Sequence, residues 1–252
     1  MENTEQKEAA KKELASYRNK VANVGYTKIS RSSLDYDLDF ELEKVKILGQ
    51  SLVRDDEDFV IDDYNKFLFK NLLRWVRCDV KKIKQRTFDA NDLIIPGSVN
   101  KGILICGATG TGKTLALNVM QRYCETNQLH YFVGDEMKRL TWASVRADKI
   151  CDFYRDNGTI EQYENARILC IQDIGTEDRP TSYMGTKKDV ICKLIENRGD
   201  NLLSQLTLLT SNLKVESDRG ITLKQIYGDR VVSRIHAMCN YYELLGDDRR
   251  KL

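Results

Sequence analysis

One stretch constrains the fold of this chain more than any other. Gly102–Cys106 reads GILIC, Gly107–Thr114 reads GATGTGKT, and Leu115–Met120 reads LALNVM. A short apolar run of this kind predicts a buried parallel strand, and the residues after the octet favour helix. A strand, a glycine-rich turn and a helix in that order gather backbone N–H groups and a helix N-terminus around one anionic ligand. The octet fits G-x-x-x-x-G-K-[ST], the phosphate-binding P-loop. Gly107, Gly110 and Gly112 lack a Cβ, so the loop can take positive φ and bring its backbone close to phosphate oxygens. The eight residues Gly107, Ala108, Thr109, Gly110, Thr111, Gly112, Lys113 and Thr114 are the expected cradle. Lys113 would reach the β- and γ-phosphates as a point charge, and the Thr114 hydroxyl would ligate Mg²⁺. ATP with Mg²⁺ is the expected cofactor pair. A chance glycine-rich turn is the bland alternative, and the flanking strand and helix argue against it.

From Lys101 onward, apolar runs alternate with helix-forming stretches, which predicts an α/β fold with a five-stranded parallel sheet flanked by helices. Strands are expected near 102–106, 130–134, 167–172, 206–211 and 240–245. Helices are expected near 113–127, 139–155, 184–204 and 222–238. Residues 1–90 form a small, mostly helical region before a core of residues 91–252. Within it, the first 24 or so residues are polar and charged and predict a frayed helix. Asp35–Glu43 alternates as a strand does, with a loop as the competing reading. Tyr64, Phe67, Leu68, Leu72 and Trp75 recur at helical spacing after a capping Asp62-Asp63, and packing onto the core explains these aromatics better than base stacking. Asp89–Asn100 reads as an irregular approach to the first core strand.

Forty basic and 38 acidic residues give a net charge of +2, so bulk charge argues neither for nor against nucleic acid. The basic clusters Lys81–Arg86 and Arg249–Lys251 read as solvated faces. No apolar run reaches the length of a membrane span, and the N-terminus lacks an apolar signal core. A cytoplasmic protein without membrane association is expected. Seven cysteines without a C-x-x-C pair read as buried thiols, and two histidines make a zinc site improbable.

Hydrolysis of a bound nucleotide needs an acid at the tip of a neighbouring strand. Arg167–Ile171 is such a strand, and Asp173 is the carboxylate that follows Gln172 at its end. Asp173 would hold Mg²⁺ or orient the attacking water. Leu206–Ser211 ends in Asn212, whose amide can contact a γ-phosphate or the lytic water, although Ser-Asn is also ordinary turn chemistry. Arg230 and Arg234 stand four apart and share a helix face. Guanidinium groups suit phosphate oxygens, and surface salt bridging is the competing reading.

Taken together, GATGTGKT, CIQDIGTE, LLTSNL and YGDRVVSRI resemble, in order and spacing, the DnaC/IstB group of AAA+ ATPases, over about residues 101–245. That group contains replicative-helicase loaders and the ATPase helpers of some transposons. The resemblance implies that Lys113 and Thr114 bind phosphate and Mg²⁺, that Asn212 senses the γ-phosphate, and that Arg234 is an arginine finger acting on ATP held by a neighbouring subunit, assisted by Arg230. It implies a homo-oligomer with ATP at subunit interfaces, DNA binding (single-stranded for a loader), and a replicative helicase engaged through residues 1–90. A transposition helper that coats duplex DNA and recruits a transposase is the alternative. Two departures stand out. The group usually ends its acidic strand with two acids, and here the pair is Gln172-Asp173. If Gln172 takes the metal position, turnover falls and the protein becomes a nucleotide-gated scaffold with little hydrolysis. The chain also ends soon after the last strand, without room for the helical lid of many AAA+ proteins or for its sensor arginine, a truncation that DnaC-type loaders share. A small-molecule kinase would leave the TSNL and SRI elements unexplained.

Overall fold

The computed structural model describes residues 8, 11–14, 16, 28–89, 91–218 and 220–249. The helix expected over the first 24 or so residues falls largely outside these; Glu8, Lys11 to Leu14 and Ser16 are helical.

Five parallel strands form the central sheet: β4 (Gly102–Cys106), β7 (Ala143–Arg146), β8 (Ile168–Gln172), β11 (Leu206–Ser211) and β12 (Cys239–Glu243). Their spatial order is β12-β4-β11-β8-β7. Leaving β4, the chain travels to the far edge, returns inward through β8 and β11, and ends on the other side of β4. β4 and β11 therefore part their onward connections, which makes the crevice at their carboxyl ends the natural ligand site. The middle strands are buried on both faces, so they read as continuous apolar runs.

Helices cover both faces. α3 (Lys113–Thr126) packs on one face with α1 (Leu38–Gln50) and α2 (Lys66–Val76), in a core containing Leu42, Leu72, Ile103, Leu117 and Leu208. On the other face lie α4 (Ala147–Asn157), α6 (Val190–Asp200) and α7 (Leu223–Met238), around Leu104, Ile150, Ile171, Ile191 and Ile235. A short helix, α5 (Glu161–Asn165), precedes β8.

Several sequence expectations need correction. Asp35–Glu43 is not a strand: residues 35–37 are irregular and helix begins at Leu38, with Asp37 capping α1 by accepting from the Phe40 N–H at 2.8 Å. Leu42, Val45 and Gly49 then bury one helical face, so a 3.6-residue period prevails over an apparent period of two. Residues 130–134 do form a strand, β5 (His130–Val133), but it pairs antiparallel with β1 (Ile29–Ser30) and β6 (Glu136–Arg139) outside the parallel sheet. The fifth parallel strand is β7, inside the segment read as helix 139–155. It is an edge strand with a mostly exposed ASVR sequence, so no apolar run announced it. The helix expected from 184 begins at Val190, capped by the Asp189 carboxylate; before it, β9 (Thr181–Tyr183) and β10 (Thr186–Lys188) form a hairpin. The approach segment 89–100 contains β3 (Ile94–Pro96), paired with β2 (Lys84–Arg86).

The aromatic helix packs as expected. Trp75 is buried in α2, meets Trp142 edge-on, and donates its indole N–H to the Lys101 carbonyl at 2.6 Å. A buried polar network ties α1, α2 and α3 together. Glu41 accepts from the Tyr123 hydroxyl at 2.6 Å and pairs with Arg77 at 3.0 Å, and the Arg77 Nε–H donates to the Tyr123 oxygen at 2.7 Å. Burial opposes the Glu41 charge, but Tyr123, Lys44 and Arg77 outweigh it and hold its carboxyl below the ordinary value. Through this network and the shared core, residues 38–77 are packed into the same body as the sheet. No helix among the described residues is long and apolar enough to cross a membrane. The seven cysteines are free thiols, six of them buried. Burial pushes Cys170 and Cys239 up to about 12, so these thiols stay protonated and unreactive.

Candidate nucleotide-binding site

Each piece of the candidate site hangs from the carboxyl end of a parallel strand. The octet follows β4, Asp173 follows β8, Asn212 follows β11, and Arg146 ends β7. A single cavity of about 1030 Å³ collects residues Thr109 to Thr114, Asp173, Asn212 and Arg146. That volume is at the upper end of the range of small-molecule sites.

The loop has the predicted conformation. Gly110 and Gly112 sit at φ 81° and 93°, in the left-handed region that a side chain would strain, and Gly112 leads directly into α3. Lys113 is buried. Its ammonium donates to the carbonyls of Gly107 and Ala108, each at 2.8 Å, and to the Asn212 Oδ1 at 2.7 Å. These bonds hold the lysine against its own loop and join the tip of β4 to the tip of β11. The Gly107 N–H donates to the Ser211 carbonyl at 3.2 Å and reinforces the join.

Asp173 is fixed by its backbone. Its N–H donates to the Thr210 hydroxyl at 3.0 Å, the Ile174 N–H to the Thr210 carbonyl at 2.9 Å, and its φ is +56°, a left-handed value that Asp tolerates better than most residues. The carboxylate faces Arg146 at 4.0 Å. Gln172 is held toward the neighbouring strand. Its amide donates to the Ser144 hydroxyl on β7 at 2.6 Å, and its side chain does not line the cavity. Glu177 is also turned away, accepting from the Tyr227 hydroxyl at 2.5 Å and the Gly175 N–H at 2.9 Å. At the tip of β8, Asp173 alone offers a carboxylate to the cavity. The Thr114 hydroxyl and the Asp173 carboxylate, both in the lining, are hard oxygen donors. Such a pair fits Mg²⁺, which takes one or two protein ligands and completes its shell with phosphate oxygens and water.

Arg230 and Arg234 do not line this cavity. Gly228 breaks the helical φ/ψ inside α7, and both arginines lie beyond it on the face that meets α6. Arg230 pairs with Glu196 at 3.1 Å and Arg234 with Asp200 at 2.6 Å. The stem of Arg234 crosses Gly199, where a Cβ would stand 2.9 Å from its Cδ. The shared face was legible from their spacing; the acidic partners at i and i+4 of α6 were not.

Sequence reasoning missed one whole wall. Leu52, Val53, Phe59, Val60 and Phe69 give the cavity an apolar side, interleaved with Asp56, Glu57, Asp58 and Asp62. Phe59 is seated edge-on to Phe69 at 5.5 Å, with its ring over Gly49. The one available signal was Phe59-Val60-Ile61, a short apolar run inside an acidic loop. Sequence also placed Arg249 in a solvated cluster. Instead Arg249 lines the cavity and pairs with Asp62 at 2.7 Å.

No family model matches the sequence, and no curated protein matches it. Solved structures that it is similar to include the crystal structure of DnaI, at 17% identity and a TM-score of 0.45, over 82% of this chain and 93% of that one. The crystal structure of the DnaC helicase loader matches at 17% identity and a TM-score of 0.45, over 74% of this chain and 93% of that one. AMPPCP-bound DnaA from Aquifex aeolicus matches at 16% identity and a TM-score of 0.45, over 76% of this chain and 50% of that one.

Proposed function

We propose that this protein is an ATPase of DNA replication, which binds ATP with Mg²⁺ between subunits of a homo-oligomer and loads or remodels a replicative helicase on single-stranded DNA. One observation carries the nucleotide part of the reading: Lys113, Asn212 and Asp173, from three different strand ends, converge with the glycine loop on one cavity. A lining that combines a lysine and a carboxylate with the apolar side chains of Phe59 and Val60 suits a triphosphate and a base. The loop N–H groups and Lys113 would bind phosphate. Thr114 and Asp173 would hold the metal, whose chemistry is to neutralise charge developing on the transferred phosphoryl group. Asn212 would orient the γ-phosphate or the attacking water. Arg234 and Arg230 lie outside their own protomer's cavity, which supports their acting on a neighbour's nucleotide. The helicase-loading part rests on the motif resemblance, and the cytoplasm is where such a protein would work.

The structure changes how the partner-binding region should be tested. Removing residues 1–90 would also remove core residues such as Leu68, Leu72 and Trp75, and the cavity wall at 52–62. The proposed partner-binding segment is therefore tested by deleting residues 1–27. The test is turnover of ATP by the full chain and by Lys113→Ala and Asp173→Asn, with and without single-stranded or duplex DNA, together with capture of a replicative helicase by the full and shortened chains. Turnover above both variants, stimulated by single strands, and helicase capture lost on deletion support the reading. Stimulation by duplex alone with capture of a transposase would replace it by the transposition helper. A second reading has its own observation. Because Gln172 is tied to Ser144, one carboxylate at the β8 tip would serve both metal and water, which favours a nucleotide-gated scaffold. ATP binding with turnover no faster than that of Asp173→Asn would decide for it.

A further inference from the structure

The segment after β12 does not leave the molecule. The Leu244 N–H donates to the Cys106 carbonyl at 2.7 Å, so the chain runs alongside the base of the phosphate loop. Five residues on, the Arg249 N–H donates to the Gly110 carbonyl at 3.1 Å, at the loop's apex. The Asp248 side chain lies against Gly110: a Cβ there would stand 1.8 Å from its carboxylate, which would have to swing aside. The Arg249 guanidinium then pairs with Asp62 at 2.7 Å, and both residues line the cavity. Asp62 is already engaged: its other oxygen accepts from the Tyr64 and Asn65 N–H groups in the turn before α2.

We propose that Arg249 is a phosphate-contacting residue for the nucleotide bound by its own protomer, with Asp62 the carboxylate that competes with phosphate for its guanidinium. This rests on the ATP-binding reading above. Three features support it. Arg249 is anchored by its own backbone to the phosphate loop, so its side chain emerges beside the loop. Its side chain is about a quarter exposed and is part of the cavity lining. Its partner is a single carboxylate that accepts other hydrogen bonds, and a triphosphate offers more negative charge and a bidentate fit that a guanidinium prefers. The bound state would exchange one ion pair for another.

A strap that is only structural predicts that breaking the Arg249–Asp62 pair from either side has the same effect. A phosphate contact predicts weaker binding from the Arg249 side and no weakening from the Asp62 side. The experiment measures binding of a fluorescent ATP analogue with Mg²⁺ to the full chain and to Arg249→Ala, Arg249→Lys, Asp62→Asn and Lys113→Ala, with the melting temperature of each nucleotide-free protein checked alongside. Asp62→Asn keeps an oxygen for the two backbone donors and removes the charge that competes for Arg249. Expected results are a loss of about tenfold or more for Arg249→Ala, a smaller loss for Arg249→Lys, and unchanged or tighter binding for Asp62→Asn. Equal weakening by Arg249→Ala and Asp62→Asn, or no change in Arg249→Ala, overturns the proposal. If the unaltered chain binds no nucleotide, or Lys113→Ala binds as well as it does, the ATP-binding reading itself fails, and with it this proposal.

Discussion

If Arg234 acts across a subunit interface, two inactive variants must repair each other in a calculable way. Arg234→Ala keeps its own cavity intact, because Arg234 does not line it, and should bind ATP nearly as the unaltered chain does. Its hydrolysis should fall on the order of 10³-fold, the usual worth of an arginine finger, or about 4 kcal/mol of transition-state stabilisation. Lys113→Ala loses the cavity and keeps the finger. In a one-to-one mixture that assembles at random through head-to-tail contacts, an interface is competent when an Arg234→Ala protomer holds ATP and a Lys113→Ala protomer supplies the guanidinium. That combination makes up about one quarter of interfaces, so the mixture should recover about a quarter of the unaltered activity. The cost of freeing the finger is small by comparison. Arg234 and Asp200 are both partly exposed, at 37% and 55% of their side-chain surface, and such pairs contribute less than about 1 kcal/mol. Asp200→Asn should therefore speed hydrolysis by no more than about fivefold, without changing ATP affinity. The assay is steady-state phosphate release over a series of mixing ratios at constant total protein. Activity that never exceeds the sum of the two separate variants would refute the inter-subunit site.

Two further outcomes concern stability. Glu41→Gln strips the charge from a pair whose side chains are 7% and 11% exposed, leaving Arg77 buried without a carboxylate; a loss of about 3 kcal/mol follows, or roughly 6–12 °C in melting temperature for a domain of this size, read by thermal unfolding. His236 is stacked on Phe88 at 4.0 Å between ring centroids, and burial, aided by Lys101 and Lys224 and opposed by Glu216, lowers its pKa. The unfolded chain then takes up this proton more readily than the folded one. Folding stability should fall as pH drops below about 6.5, and His236→Phe should flatten that part of a pH series of urea melts.

The sequence by itself determined what local chemistry can determine. The octet 107–114 needs no distant residue to declare a phosphate loop, since glycine placement and the flanking periodicities are local. The strands 102–106, 168–172 and 206–211 were legible because burial on both faces leaves an unbroken apolar run. Asp173 and Asn212 were legible because strand tips at one end of a parallel sheet converge. What the tertiary structure alone decided depends on contacts between segments far apart in the chain. β7 was hidden because an exposed edge strand bears no apolar signature; its place comes from pairing with β8. Gln172 looks like a metal-site residue by position, and only the tertiary structure shows its amide bonded to the Ser144 hydroxyl next door. Arg249 sits in a run of charge that reads as surface. It becomes part of the cavity because the last segment folds back along β4 to Gly110, and because Asp62, 187 residues earlier, lines the same cavity and pairs with it. Neither end of that pair carries a sign of the other, since an ion pair closed by the fold leaves no pattern in either local sequence.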